Sequence, residues 1–483
     1  MPGHVNRRSF LKAAAGAAGL VILAEARSAT SARANDRLNV ALVGVGGRGR
    51  WFVDTIPKME NVVALCDINE RKVAETLKRW ADLADKFETS QHDWERRAAV
   101  EYKRLLGAKP KTFADFRKML DAMGGGLDAV VCATPDHTHA VISAAAIKAG
   151  KHVFCEKPLT RTLHESRALR QLARTHKVAT SMGNQGTAGG RFRRSLELIR
   201  DGTIGQVKEV HIWNTGGGAD RQKPPEGTPP VPDGLNWDLW LGPAARRPYH
   251  PDWMKRNLWR DFGTCQLGNW ASHTANLAFM ALKVYELWLT EPAGGATPRV
   301  SVSARVPAIN RLSFPRWEII TWRIPARAEF PPITFTWYNG SAPESRDRLW
   351  ELMGEKPDPE GKRPFPYAGA LIVGAKGTIH STGHNMTFTL VPADRFKGVE
   401  TDRPKTVDRS RGHEMDWFLA CRGGKPAWAN FDYASALNEF LMLGNVATQF
   451  DGTLEFDPIA MKIANNEKAD AMLRYTYREG WTL

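Results

Sequence analysis

Gly44, Gly46 and Gly49 follow directly on the apolar run from Leu38 to Val43. A strand that runs into Gly-x-Gly-x-x-Gly and then opens a helix is built to hold the pyrophosphate of a dinucleotide. The first glycine permits a tight turn, the second lets the backbone approach the phosphates, and the third lets helix and strand pack closely, with the helix N-terminus facing the phosphate charge. Arg48, inside the loop, is a further cofactor-side candidate. A second apolar run, Val62 to Cys66, delivers Asp67 about as far from the glycines as a carboxylate meeting the adenosine ribose hydroxyls should lie. A carboxylate there repels a 2′-phosphate and so favours NAD, while Arg71 and Lys72 just beyond it keep NADP open.

The next chemistry-bearing loops arrive in the same way. Asp128 to Ala133 runs into Thr134-Pro135-Asp136-His137-Thr138-His139, an Ala-rich helix ends near Gly150, and His152 to Cys155 delivers Glu156-Lys157-Pro158. A partly desolvated lysine beside a nicotinamide polarises a substrate oxygen when charged, or joins a proton relay when its pKa is lowered. Glu156 could pair with Lys157 or with a cofactor ribose. Parallel strands alternating with helices place all of these loops at the carboxyl edge of one sheet, where ligands bind.

In this order, Gly-x-Gly-x-x-Gly, Asp67 at the end of the second strand, Thr134-Pro135-x-x-x-His139 and Gly150-Lys151-His152-Val153-x-x-Glu156-Lys157-Pro158, the chain resembles the Gfo/Idh/MocA oxidoreductases, which include inositol dehydrogenases and glucose-fructose oxidoreductase. The resemblance implies an α/β chain. An N-terminal Rossmann dinucleotide-binding domain would be followed by a C-terminal α/β domain with a large open, mostly antiparallel sheet that forms the substrate pocket and an oligomer interface. It further implies that Lys157 meets the substrate oxygen and the nicotinamide ribose, and that Glu156, Thr134, Pro135 and His139 line the cofactor site. Family members carry an Asp or another polar residue four positions before a His. Here the His is His273 and the earlier position is Asn269. An amide orients a hydroxyl but cannot take its proton, so acid–base duty should fall on His273, with Lys157. Asn184, before Gln185, is placed by the same resemblance among cofactor and substrate contacts, although a polar turn after a strand explains it equally well.

Trp237, Trp240, Tyr249, Trp253, Trp259 and Trp270 lie in one stretch with Arg246, Arg247, His250, Arg256 and Arg260. Indole faces with nearby donors suit a sugar. More than half of these tryptophans should nonetheless pack the domain interface, leaving only those beside the pocket to matter. Farther on, Gly216 to Gly234 reads as a long loop. Val300 to Val306, Trp317 to Ile324 and Ile333 to Trp337 read as strands, and Gly369 to Ile379 as a strand and turn. Ala342 to Pro366 reads as an exposed loop, and His413 to Cys421 and Tyr433 to Phe450 as helices.

The N-terminus carries Arg7-Arg8-Ser9-Phe10-Leu11-Lys12, a weakly apolar run from Ala13 to Ala24 and a small-x-small site at Ala32-Arg33-Ala34. This pattern predicts a twin-arginine signal over residues 1–34, recognition by the twin-arginine export machinery and a periplasmic or otherwise extracytoplasmic location. The expected organisation is then a Rossmann domain over 35–158 and a substrate-binding and oligomerisation domain over 159–483. The five cysteines are odd in number, and Cys66, Cys132 and Cys155 end buried strands, so they read as core residues. No sequence spacing suggests a metal site. The formal charge of +15 is not gathered into a basic stripe with interleaved aromatics, which argues against nucleic acid as a partner. Free NAD is scarce outside the cytoplasm, so the expected activity is hydride transfer at a ring hydroxyl of a sugar, polyol or glycoside with a tightly held, internally recycled cofactor. Two alternatives are redox-neutral glycoside cleavage through transient oxidation, and a cofactor-bound protein without turnover.

Overall fold

A computed structural model describes residues 37–291, 297–327, 329–342, 345–357 and 364–483. The expected leader, with Arg7 and Arg8, lies outside the described residues. From Leu38 onward the chain forms one compact unit.

Six strands make a wholly parallel sheet: β1 (Asn39–Val43), β2 (Asn61–Cys66), β3 (Lys111–Phe113), β4 (Ala129–Cys132), β5 (His152–Cys155) and β6 (Thr180–Met182), in the order β3-β2-β1-β4-β5-β6. Strand β4 is buried at every residue and β1 at every residue but its first, as strands covered on both faces must be, and their sequences are accordingly continuous apolar runs. Helices α1 (Gly49–Thr55), α2 (Glu70–Glu88), α3 (Asp93–Ala108), α4 (Phe116–Met123) and α5 (Asp136–Lys148) lie between them. The sheet continues beyond residue 158. Helix α6 (Leu163–His176) crosses from β5 to β6, so the last parallel strand comes from the stretch expected to open the second domain.

After α7 (Gly190–Arg200), strand β7 (Val207–Asn214) begins a nine-stranded sheet with β8 (Val300–Arg305), β9 (Trp317–Ile324), β10 (Ile333–Gly340), β11 (Ala368–Gly374), β12 (Thr378–Thr382), β13 (Phe388–Val391), β14 (Thr453–Asp457) and β15 (Lys462–Ile463). Its order is β13-β12-β11-β7-β10-β9-β8-β14-β15, and only the β7–β10 pair is parallel. One face is packed, because burial alternates residue by residue along β9 and β10.

The stretch 342–366 is not all loop. Helix α8 (Ser345–Leu352) forms within it because Leu349 and Trp350 have somewhere to go: they pack with Trp213 and Leu371 in a small apolar cluster. Helix α9 (His413–Cys421) falls where its pattern placed it. Helix α10 (Phe431–Ala447) starts two residues early, where the Asn430 side chain caps the amides of Asp432 and Tyr433. It is buried along its length except at Asp432, and Phe440 packs against Trp322, Phe335 and Phe279. Arg167 of α6 makes a bidentate ion pair with the buried Glu439 of α10, at 2.9 and 2.6 Å, which ties the two halves of the molecule together.

Candidate active site

The site begins at the turn after β1. Gly44 has φ +80°, and a Cβ on it would come within 2.6 Å of the Ala133 carbonyl; a Cβ on Gly49 would come within 1.9 Å of the Gly44 carbonyl. Only glycine fits at either position, so helix α1 meets β1 closely and its first turn faces the cleft. The Asp67 carboxylate accepts the Val45 and Asn69 backbone amides, both at 2.9 Å, and so braces the glycine loop against the loop after β2. Burial raises its pKa, and the backbone donors oppose that shift. Each of its oxygens retains a lone pair for a ribose hydroxyl.

A cavity of about 370 Å³ opens here, lined by Gly44, Gly46, Arg48, Asp67, Thr134 and Pro135, and farther in by Glu156 and Lys157. The roof comes from elsewhere in the chain: Leu235, Leu239 and Trp240 from the segment after the long loop, and Trp481 from the C-terminus. Lys72, near Gly46, is paired with Glu75 at 2.8 Å.

Among the other predicted residues, Glu156 is buried and accepts Arg48 Nε at 2.8 Å and the Lys157 amide at 3.1 Å, so its side-chain partner is Arg48 rather than the Lys157 ammonium. His139 stands behind the cavity wall, with Nδ1 2.8 Å from the Pro158 carbonyl and Nε2 2.8 Å from the Thr134 carbonyl. It clamps the two loops that carry the site. Asn184 is fully buried, and neither polar atom of its amide has a partner in the protein; it follows Gly183, on which a Cβ would meet the Glu156 carboxylate at 2.6 Å. Asn184 is not among the residues that line the cavity.

Lys157, Asn269 and His273 are brought together. The Lys157 ammonium donates to the Asn269 side-chain oxygen and, at 3.2 Å, to its carbonyl. Burial pulls the Lys157 pKa down; Glu156 and Asp136 oppose this, and Arg256 and Arg48 add to it. Asn269 sits in a π-helical turn, Leu267–Ala271, that leads into the short helix Ser272–Thr274 carrying His273. Such wide turns recur at functional sites because they re-aim side chains. His273 is 3% exposed and its Nδ1 has no partner. Burial drives its pKa well below the ordinary value, and Lys157, His384, Arg48 and His413 push the same way.

Most of the predicted tryptophans do not reach this centre. Trp237, Trp240, Trp253 and Trp259 stack with Phe262 and Leu241 in a cluster of their own, because burying indole against indole removes more apolar surface than lining an open cleft. Trp270, next to Asn269, is the one beside Lys157 and His273, and its ring meets Tyr367 and His384 at 5.3 and 5.0 Å.

Three features escaped the sequence. Arg256 pairs with the buried Asp136, which also accepts Thr264 Oγ1 at 2.7 Å; this was invisible because the partners are over a hundred residues apart. Cys132, His139 and Cys155 place ligand atoms within 4.8 Å of one another, although no spacing announced it. Both His139 ring nitrogens face carbonyl oxygens, so neither offers a free lone pair to a metal ion, and the trio belongs to the packing of helix α5 against the ends of β4 and β5. The third is His384, from the turn between β12 and β13, whose ring lies 4.5 Å from that of His273.

With this geometry the comparisons agree. Residues 38–184 match the GFO_IDH_MocA model, described as the oxidoreductase family, NAD-binding Rossmann fold. Residues 38–184 thus resemble the NAD-binding Rossmann domain of that family. Levoglucosan dehydrogenase of Pseudarthrobacter phenanthrenivorans is 27% identical over 183 residues, 35% of this chain and 39% of that protein. Inositol 2-dehydrogenase 1 of Saccharopolyspora erythraea is 45% identical over 100 residues, 19% of this chain and 28% of that protein. The alignments thus span well under half the length of these relatives. The crystal structure of the WlbA dehydrogenase from Bordetella pertussis in complex with NADH and UDP-GlcNAcA aligns over 86% of this chain and 98% of that one, at 14% identity and a TM-score of 0.52, which shows that the fold is shared through the second domain. The cofactor of the Rossmann domain is NAD. The glycine cradle and the Asp67 carboxylate in the cavity wall fit it.

Proposed function

We propose that this protein is an exported NAD-dependent oxidoreductase that acts at a ring hydroxyl of a sugar, polyol or glycoside and keeps its cofactor between turnovers. The observation that carries the reading is Lys157: an ammonium at the inner end of the NAD cavity, oriented by Asn269, beside a buried histidine. NAD, when bound, supplies a hydride acceptor. Lys157 donates to the substrate oxygen and steadies the charge that grows on it, while the neutral His273 imidazole takes up the hydroxyl proton. Trp270 offers an apolar face to the C–H side of a sugar ring. The matches to levoglucosan and inositol dehydrogenases support a cyclic polyhydroxylated substrate.

Retention of NAD is supported by the roof over the cavity, and export by the Arg7-Arg8 leader pattern. The outer face of the nine-stranded sheet, where Trp317, Ile319 and Tyr338 stand half-buried, suits contact between copies in a homo-oligomer. The test is to purify the mature protein from the extracytoplasmic fraction, denature it, and identify released nucleotide by mass spectrometry, then offer sugars, polyols and glycosides. Stoichiometric NAD that becomes reduced by a polyol supports the reading. Cleavage of a glycoside without accumulated NADH replaces it with transient oxidation and elimination. An empty protein indifferent to every substrate sinks both.

A further inference from the structure

The turn Gly383-His384-Asn385 belongs to the second sheet, yet it is fastened onto the active centre at several points. Asn385 adopts a left-handed conformation, φ +55°, and its side-chain amide donates to the His273 carbonyl. A Cβ on Gly186 would come within 2.4 Å of the His384 carbonyl, and one on Gly383 would reach the Trp270 ring at 3.0 Å. The Asn385 backbone N–H donates to the Thr382 carbonyl at 2.8 Å. A turn held this tightly fixes where its one ionisable side chain can be.

That side chain is an imidazole between the buried centre and water. The His384 ring touches His273 at a centroid distance of 4.5 Å and Trp270 at 5.0 Å, and it is half-buried where His273 is 3% exposed. Oxidation of a hydroxyl must dispose of one proton. Asn269 cannot take it, since an amide is not a base here and its oxygen is already held by Lys157. His273 can take it but is walled off from solvent. We propose that His384 is the proton-exchange residue of this site, passing the substrate hydroxyl proton between His273 and water. The inference rests on the dehydrogenase reading above.

The balance is simple. The carbinol C–H bond breaks with its electron pair going to oxidised nicotinamide; the O–H bond breaks and its electrons complete the carbonyl; the proton moves to His273, then to His384, then to water. Reduction runs the same path backward. The terminal torsion of a histidine is broad and roughly two-fold, so rotation of the half-exposed His384 ring turns a nitrogen from the His273 side to solvent. The charged groups that bear on the pair are Lys157 from the end of β5 and Arg48 from the glycine loop on both rings, and His413 of α9 on His273. Burial first and then these cations hold both imidazoles below their ordinary pKa, so near pH 7 both are neutral and each has a lone pair free to take a proton in passing.

The test uses the NAD-loaded protein with His384→Gln and His384→Ala. Expected are an unchanged NAD affinity, a KM within about threefold, a kcat lowered about 10²-fold, and partial recovery of His384→Ala by added imidazole that follows imidazole's own titration. Labelled-histidine NMR should show His273 titrating higher in His384→Gln, because a neighbouring charge has gone. A wild-type kcat in both variants overturns the proposal, as does a loss that imidazole does not relieve together with an unmoved His273 titration. Wild-type protein that reduces no NAD with any polyol fails the dehydrogenase reading instead. Even then the NMR arm judges the pair, and an unmoved His273 resonance overturns it.

Discussion

Lys157 and Asp67 show how far a single residue's chemistry is set by what surrounds it. The Lys157 ammonium loses hydration on burial, and the Asn269 oxygen and the nearby carboxylates offset that loss without neutralising it. Lys157→Ala removes the donor proposed for the reacting oxygen and leaves the glycine cradle untouched. We expect kcat/KM to fall by about 10²–10⁴ while NAD stays bound, read from steady-state rates beside nucleotide content; an active variant removes Lys157 from its role. Asp67 braces Val45 and Asn69 and also lines the cavity, where the proposed reading sets it against the ribose. Asp67→Ala leaves two backbone amides without a partner, at about 1–3 kcal/mol, and calorimetry should show NAD binding weakened by tenfold or more. Unaltered binding would mean that the ribose is held by other groups. Both residues were legible because each ends a strand and sits in a recognisable string. His384 was not, since Gly-His-Asn between two short strands reads as an ordinary turn, and only the fold brings it to His273.

At the scale of elements, what was legible followed from burial. Strands β1, β4 and β5 announce themselves as unbroken apolar runs, and β9 and β10 as alternation, because the first sheet is covered on both faces and the second packs on one. Helix α8 was hidden in a charged, Pro-rich stretch, since the partners of Leu349 and Trp350 come from distant strands. For the same reason the tryptophans between 237 and 259 could not be sorted from sequence: whether an indole lines a cleft or another indole is decided by tertiary packing. The junction of α6 and α10 was equally silent, although it holds a buried ion pair. Arg167 also donates to the Ile459 and Pro458 carbonyls, at 2.9 and 2.7 Å, so its charge is fully committed. Glu439→Ala leaves a buried guanidinium without its anion. We expect a loss of about 3–5 kcal/mol, measured as a lowered urea midpoint; a shift under about 1 kcal/mol would show that water reaches the arginine.

Two properties belong to the whole molecule. One is acid sensitivity. His137 is buried with only its Nε2 bonded, to the Trp240 carbonyl at 2.8 Å, and burial pushes its pKa from 6.5 to about 4. The unfolded chain therefore takes up a proton near pH 6.5 that the folded chain refuses until about pH 4. That contribution, about 3 kcal/mol, is fully present above pH 6.5 and lost as pH falls toward 4. The urea midpoint should drop across that window, and less so in His137→Gln; equal slopes would reject His137 as the source. The other property is the roof over part of the cavity. Segment 234–243 is stitched to the loop after β2, by Glu70 N to the Gly234 carbonyl at 3.0 Å and Asn236 N to the Ile68 carbonyl at 2.9 Å. On its far side Arg478 clamps Asp238 at 2.7 and 3.0 Å and bonds the Pro243 carbonyl through its amide. Trp481 then lies over Phe116 and Arg117 at the cavity edge. The loop that presents Asp67, the segment after the long loop and the C-terminus thus form one chain of contacts along the cleft, and the proposed retention of NAD would rest on it. Trp481→Ala removes an indole from these contacts without touching the glycine cradle or Lys157. Losing about 1.5–3 kcal/mol of apolar contact should speed NAD release by ten- to a hundredfold, measured by displacement of bound NAD in stopped flow. Release as slow as in the parent would place the barrier in the glycine loop and leave the roof with no part in holding the cofactor.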